Sequence, residues 1–156
     1  MLNFKNIDHI GIRISNRDNS VKFYETLGFE MVADGGFEQG HPLVMLHPSG
    51  ININLLGPAT RGAGINILMD NEDVKYPGIT HVAIKVINAE ETENYINDQK
   101  IPITGRRVFG GTRTIFIRDP DRNVIELVGE GKPVAALIVE HVAKKINNQT
   151  KLKEKL

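Results

Sequence analysis

The chain has 156 residues, a length that excludes a long repeat array, and its 40% hydrophobic and 24% charged residues argue against disorder of the main body. Its 19 basic and 19 acidic side chains cancel, so no broad positive surface for nucleic acid is expected. Cysteine is absent, which argues against disulfides and sulfur-ligated zinc. No apolar run approaches the ~20 residues that cross a bilayer, so no membrane partner is expected and a cytoplasmic protein is predicted.

The first predicted element is a strand in which isoleucines alternate with other residues from His9 to Ile14. A helix with one apolar side follows, and Gly28 ends it. Turn residues then separate three further strands. One βαβββ module over residues 5–57 is therefore predicted, with its helix at residues 17–27 and its later strands at residues 29–34, 42–47 and 51–56.

The same order of elements returns in the second half of the chain. His81 lies 72 residues after His9 and begins another alternating strand, and Glu126 lies at the same offset from Asn54. Such internal repetition indicates a duplicated structural unit. The sequence thus predicts an α+β domain at residues 1–131, with a second βαβββ module at residues 79–129, a linker at 58–78, a helix at 89–99 and strands at 101–108, 112–118 and 123–128.

Residues 132–156 lie outside the repeat and have helical spacing, with apolar side chains on one side. We predict a C-terminal helical extension that packs on the domain or on a second subunit. The lysines at its end are typical of a solvated helix face.

Three of the repeat-related residues have side chains that bind metals. His9 and His81 lie on the strand faces that lack the aliphatic residues, beside a glycine and an alanine that leave space for an ion and a bound molecule. In the last predicted strand, the two-residue period puts Glu126 opposite to its aliphatic neighbours. Any one of these residues alone is more often structural, but the matched set predicts a site for Fe(II), Mn(II), Ni(II), Co(II) or Zn(II). Asn54 is a poor ligand and would leave one position for oxygen, water or substrate.

Several runs of the sequence have the order and spacing of a known family: Asp8-His9-Ile10-Gly11-Ile12, Phe23-Tyr24 with Leu27-Gly28-Phe29, His81-Val82-Ala83, and Arg118-Asp119-Pro120-Asp121-Arg122-Asn123-Val124-Ile125-Glu126-Leu127. They resemble the vicinal oxygen chelate superfamily, which contains glyoxalase I, bleomycin and fosfomycin resistance proteins, methylmalonyl-CoA epimerase and extradiol dioxygenases. The resemblance covers about residues 5–130. It implies that the paired modules form a cup-shaped mixed sheet around a metal ion, with a small-molecule substrate that offers two neighbouring oxygens, and a homodimer.

The resemblance also implies roles for single residues. His9, His81 and Glu126 correspond to metal ligands, and Glu126 serves as a catalytic base only if it leaves the metal part of the time. Glyoxalase I and the epimerase usually have a Glu or Gln at the position of Asn54, whereas extradiol dioxygenases use His, His and Glu alone. The ligand count therefore favours an Fe(II) extradiol-type dioxygenase.

A second comparison favours other chemistry. Extradiol enzymes have a catalytic His and Tyr near the penultimate strand, and this chain has Arg107 and Phe116 at those places. Arg106, Arg107 and Arg113 suit an anionic substrate, although any one of them alone is more often a surface charge. Arg107 and Arg113 are predicted to line the substrate site together with Asn54 and Phe116. Three classes stay open: an Fe(II) dioxygenase, a glyoxalase-like lyase or isomerase of the lactoylglutathione lyase or epimerase type, and a metal-free small-molecule binding or resistance protein.

Overall fold

The structure, a computed structural model, describes residues 1–61, 73, 75 and 77–153, with side chains up to residue 146. The first half contains one helix and four strands in the order predicted. These are β1 (Ile10–Arg13), α1 (Arg17–Thr26), β2 (Glu30–Asp34), β3 (Pro42–Leu46) and β4 (Asn52–Leu56). The strands form one sheet in the order β1-β4-β3-β2, with β1 parallel to β4 and the other pairs antiparallel.

The second half repeats this arrangement and adds a long helix. Its sheet has the order β5-β8-β7-β6, which matches the first. The predicted pair of βαβββ modules and the C-terminal helix are thus confirmed, while most of the predicted linker lies outside the described residues. The elements are β5 (His81–Lys85), α2 (Ala89–Asp98), β6 (Gly105–Phe109), β7 (Thr112–Arg118), β8 (Val124–Val128) and α3 (Val134–Lys153).

Equivalent asparagines begin the first two helices. The side chain of Asn16 accepts a hydrogen bond from the backbone N–H of Asn19, and Asn88 accepts from Glu90 and Glu91. An asparagine at this position satisfies N–H groups that have no partner inside the helix. The predicted starts of both helices are therefore confirmed at Arg17 and Ala89.

Two local features differ from the prediction. β6 begins at Gly105 rather than at residue 101, because the N–H of Ile101 donates back to the carbonyl of Ile96 at the end of α2. A single 3₁₀ turn, Phe37–Gln39, also lies between β2 and β3. Gly36 and Gly40 flank it with φ angles of 109° and 84°, which are accessible at little cost only to glycine.

The described chain forms two compact units. One comprises residues 1–82 and 117–125, the other residues 83–116 and 126–156. None of the helices in the described part of the chain is long and apolar enough to cross a membrane. The first unit has the fully buried side chains of Ile14, Tyr24, Leu43, Met45, Ile53, Leu55 and Ile117, and in the second unit Ile96, Ile115, Leu127, Val128 and Leu137 are buried.

The turn between β7 and β8 anchors the first unit through Asp119. Its carboxylate accepts hydrogen bonds from the Tyr24 hydroxyl at 3.1 Å and from the side chain of Asn123 at 2.9 Å, and from the backbone N–H groups of Asp121 and Asn123. Burial raises the pKa of Tyr24 well above its ordinary value, and the charge of Asp119 raises it further. Burial also raises the pKa of Asp119, although its hydrogen bonds oppose that shift. Asp121 in turn accepts from the N–H of Ser15 at 2.9 Å.

Two glycines at equivalent positions allow close packing. A Cβ atom on Gly57 would lie 1.6 Å from the ring of Phe37, and one on Gly129 would lie 2.7 Å from the Cβ of Ala89 and 2.8 Å from the carbonyl oxygen of Arg113. Neither space holds a methyl group. The glycines at the ends of β4 and β8 are therefore required by packing rather than by backbone conformation.

Candidate functional site

Both predicted histidine ligands are held by the residue that precedes them. The Nδ1 atom of His9 lies 2.8 Å from a carboxylate oxygen of Asp8, and the Nδ1 atom of His81 lies 2.8 Å from the hydroxyl of Thr80. Asp8 and Thr80 are themselves equivalent in the repeat. The Asp8 carboxylate can only accept, so it keeps the proton of His9 on Nδ1 and makes Nε2 the ring nitrogen for a metal. The Thr80 hydroxyl gives His81 the same orientation when it accepts from Nδ1.

Glu126 has a buried carboxylate. It lies in β8, the five residues of which are all buried, and the side chain is only 6% exposed. Its Oε1 atom is 3.5 Å from Nη2 of Arg107, which is 50% exposed. That separation exceeds the ~2.7–2.9 Å of a tight charge-assisted hydrogen bond. Arg107 therefore balances the charge of Glu126 through a long ion pair rather than a short hydrogen bond.

The register of β6 and β7 divides the three neighbouring arginines between two faces of the sheet. Directly paired residues point to the same face, so Arg107 shares a face with its partner Thr114, and Phe116 does so with Gly105. Arg106 and Arg113 project from the other face, where both bind Glu93 of α2, at 2.8 Å and 3.3 Å.

The predicted substrate-lining residues are thus separated within the second unit. By strand register, Arg107 and Phe116 lie on the face of Glu126, whereas Arg113 projects from the other face, where it binds Glu93 and stays half exposed. A cavity of about 150 Å³ on the α2 side is lined in part by Thr92, Glu93 and Arg113. Arg106 and Arg107 also line this cavity, and the single carboxylate of Glu93 offsets only one of the positive charges there.

Asn54 occupies the centre of the first sheet. It pairs with Gly11 of β1 and Val44 of β3, so these three residues share a face. Its Oδ1 atom is buried and has no hydrogen-bond partner among the described residues, and the same holds for Asn52 two positions earlier. A buried carbonyl oxygen without a partner costs about 1–3 kcal/mol, so the Asn54 oxygen is available to accept a hydrogen bond from a bound molecule or from water.

The described residues contain no group of three or more His, Cys, Asp or Glu side chains arranged to hold a metal ion. The predicted ligands are therefore not gathered into a finished site in this structure. Their chemistry nevertheless fits a divalent ion. Each imidazole is engaged through Nδ1, Glu126 is a buried carboxylate with a long contact to its cation, and Asn54 has an unsatisfied buried oxygen. Nitrogen and oxygen donors of this kind suit the borderline and hard divalent metals.

Sequence reasoning missed the two residues that orient the imidazoles and the one that occupies two of the arginines. Asp8 and Thr80 could have been found, because polar residues precede both histidines at the repeat offset. Glu93 could not have been found in this way. Its role depends on which side of the second sheet α2 covers, and the sequence period alone does not determine that.

Comparison with known proteins agrees with this architecture. A family model described as Glyoxalase/Bleomycin resistance protein/Dioxygenase superfamily matches residues 6–127. The glyoxalase domain-containing protein RDO1 of Mycosarcoma maydis is 25% identical over 126 residues, which are 81% of this chain and 69% of that protein.

Solved structures show the same fold. The glyoxalase family protein from Enterococcus faecalis is 29% identical, with a TM-score of 0.66 over 80% of this chain and 98% of that one. Lactoylglutathione lyase from Agrobacterium tumefaciens is 19% identical, with a TM-score of 0.58 over 80% of this chain and 92% of that one. The second likeness concerns the fold alone.

Proposed function

The chain belongs to the Glyoxalase/Bleomycin resistance protein/Dioxygenase superfamily, in agreement with its resemblance to vicinal oxygen chelate proteins, and we propose that it is a metal-dependent enzyme acting on a small molecule with two neighbouring oxygens. The observation that carries the proposal is the pair of equivalent imidazoles, each held at Nδ1 by the preceding side chain. A duplicated orientation of this kind has no evident use in packing, because His9 is exposed and His81 is only partly buried.

His9, His81 and Glu126 are the proposed ligands. A divalent ion held by them supplies Lewis-acid polarisation of a substrate oxygen. Asp8 keeps the proton of His9 on Nδ1, Thr80 orients the ring of His81, and Glu126 contributes the negative charge that favours a cation. Asn54 presents its amide oxygen to the bound molecule. Phe116 offers an apolar surface on the face of Glu126.

We favour an Fe(II) extradiol-type dioxygenase, because two His and one carboxylate with a neutral Asn54 leave positions open. A glyoxalase-like lyase or isomerase is the second candidate. Arg107 and Phe116 favour this candidate, because they stand where extradiol dioxygenases have a catalytic His and Tyr. Neither an arginine nor a phenylalanine side chain can take over the proton transfers of those two residues. The homodimer and the division into a domain at 1–131 and an extension at 132–156 stay predictions.

Metal content tests the proposal. We expect untagged protein to bind about one equivalent of divalent metal. Glu126→Gln and His81→Ala should lose most of this metal while keeping the circular dichroism spectrum of the fold. His141→Ala is the matched control, because His141 lies on α3 against the ring of Phe109.

The metal-loaded protein is then assayed for oxygen consumption with catechols and, without oxygen, for turnover of hemithioacetals. Oxygen uptake supports the dioxygenase, and turnover without oxygen supports the lyase. Equal metal content in all four proteins would refute the ligand assignment. Small-molecule binding that persists in chelator would favour the metal-free class.

A further inference from the structure

Arg107 is the arginine that faces Glu126, and its position suggests a second use. We propose that Arg107 and the metal ion compete for the Glu126 carboxylate, and that the released guanidinium binds an oxyanion group of the substrate. This inference rests on the proposed function and names its substrate class as small molecules with a carboxylate or a phosphate-type group.

Geometry makes this exchange possible. Arg107 lies in β6 and Glu126 in β8, with β7 between them, so the long side chain extends over Thr114 to reach the carboxylate. The Glu126 side chain of this pair is buried, and the Arg107 side chain is half exposed. A guanidinium in such a position stays accessible to solutes while it balances a buried charge.

The contact is also weak enough to be replaced. The 3.5 Å separation is longer than a tight charge-assisted hydrogen bond, and the guanidinium is half exposed, so water can take over its contacts when the carboxylate is withdrawn. A divalent ion attracts a carboxylate more strongly than one guanidinium does, because it carries twice the charge and binds oxygen directly at a shorter distance. Metal binding therefore leaves Arg107 without its carboxylate.

The surroundings of Arg107 suit a substrate with an anionic group and an apolar body. Arginine binds carboxylate and phosphate through two parallel hydrogen bonds. The neighbouring ring of Phe116 lies over Gly105, since a Cβ atom there would be 3.2 Å from Cδ2 of the ring. The ring thus forms an apolar surface beside the guanidinium.

The other two arginines do not share this role. Arg106 and Arg113 are bound by the same carboxylate, Glu93, on the face that α2 covers. Arg106 therefore provides a matched control, since it has the same charge and a neighbouring position but faces away from Glu126.

The competition has a thermodynamic consequence. If a metal ion frees Arg107 for an oxyanion, an oxyanion on Arg107 must free Glu126 for the metal by the same factor. Metal and oxyanion affinities are therefore positively coupled through a single side chain.

Titration of the full chain with Co(II), followed by visible absorption, tests this coupling. Sulfate and benzoate are the probes, each compared with chloride at equal ionic strength. In the unaltered protein we expect either probe to raise the Co(II) affinity about fivefold, the lower end of typical coupling. A larger effect of benzoate indicates a carboxylate substrate, and a larger effect of sulfate indicates a phosphate-type group.

The variants separate the possible outcomes. Arg107→Gln should bind Co(II) about fivefold more tightly in chloride and lose the effect of both probes, whereas Arg106→Gln should keep that effect. If Arg107→Gln does not fold, Arg107→Lys should retain the charge and lose most of the benzoate effect. An unaltered protein that binds Co(II) regardless of the probes refutes the coupling alone. No Co(II) uptake under any condition refutes the proposed function as well.

Discussion

Replacing Tyr24 with phenylalanine removes one hydroxyl from the hydrogen-bond network of Asp119. The variant keeps the ring, so the edge-to-face contacts of Tyr24 with Phe23 and Phe29 are retained. What is lost is a buried hydrogen bond of 3.1 Å to a carboxylate. Bonds of this type contribute about 1.5–3 kcal/mol to the free energy of unfolding.

We expect Tyr24→Phe to lower the free energy of unfolding at neutral pH by ~2 kcal/mol, because three other donors still satisfy Asp119. For a chain of this size, that loss corresponds to a decrease in Tm of ~4–8 °C. Urea unfolding followed by circular dichroism measures the free energy, and a thermal scan measures Tm.

The pH dependence tests the cause. In the folded protein the pKa of Tyr24 is raised, so the folded state keeps its proton where the unfolded state has lost it. This contribution is fully present below the unfolded pKa of about 10 and is lost as pH rises toward the folded value, at up to ~1.4 kcal/mol per pH unit. The difference between the two proteins should therefore shrink as pH rises above about 10.

Tyr95→Phe is the control, since Tyr95 is 48% exposed on α2. Its substitution should change the free energy of unfolding by less than ~0.5 kcal/mol, with no change in alkali. The reasoning is refuted if the two variants lose equal stability, or if the loss in Tyr24→Phe is the same at every pH.

Further substitutions test the site and the packing. Asn54→Leu removes an unsatisfied buried oxygen, so it should raise the free energy of unfolding, measured in urea, by ~1 kcal/mol. The same substitution should weaken substrate binding. A loss of stability would contradict the assignment of Asn54 Oδ1 as unsatisfied. Asn54→Glu should add a fourth ligand, and metal analysis should then find less iron relative to nickel or zinc. Gly129→Ala should lower the free energy of unfolding in urea by ~1–3 kcal/mol. Gly11→Ala is the control and should lower it far less, because a Cβ atom there would lie 3.5 Å from its nearest neighbour. Equal losses would contradict the close approach at Gly129.

Most of the fold could be predicted because the hydrophobic period and the chain repeat give the same answer. The alternating isoleucines of β1 and the asparagines that begin α1 and α2 are local signals. The 3₁₀ turn at Phe37 was missed because it depends on a distant contact, with the Phe37 ring packed against Gly57. The start of β6 was missed because residues 101–104 have strand-like composition, whereas the N–H of Ile101 bonds back to Ile96 of α2.

The candidate site could be predicted only in part. Period two correctly separates Glu126 from Leu127, yet it cannot decide which of Arg106 and Arg107 faces Glu126. That choice depends on the register of β6 against β7, and this is set by the turn at Gly110 and Gly111 between them. The two turn glycines carry no hydrophobic period from which this register could be predicted. The face on which each arginine lies is therefore known only from the structure.

The order of strands has a consequence for biosynthesis. β1 leaves the ribosome before β4, which is its neighbour in the sheet, so the backbone of Ile10 can pair only after Ile53 has been synthesised. The hairpins β2-β3 and β3-β4 close over much shorter distances along the chain and should assemble earlier. We therefore expect each half of the protein to complete its sheet by adding its first strand last, so that the segment carrying His9 acquires its sheet contacts late in translation.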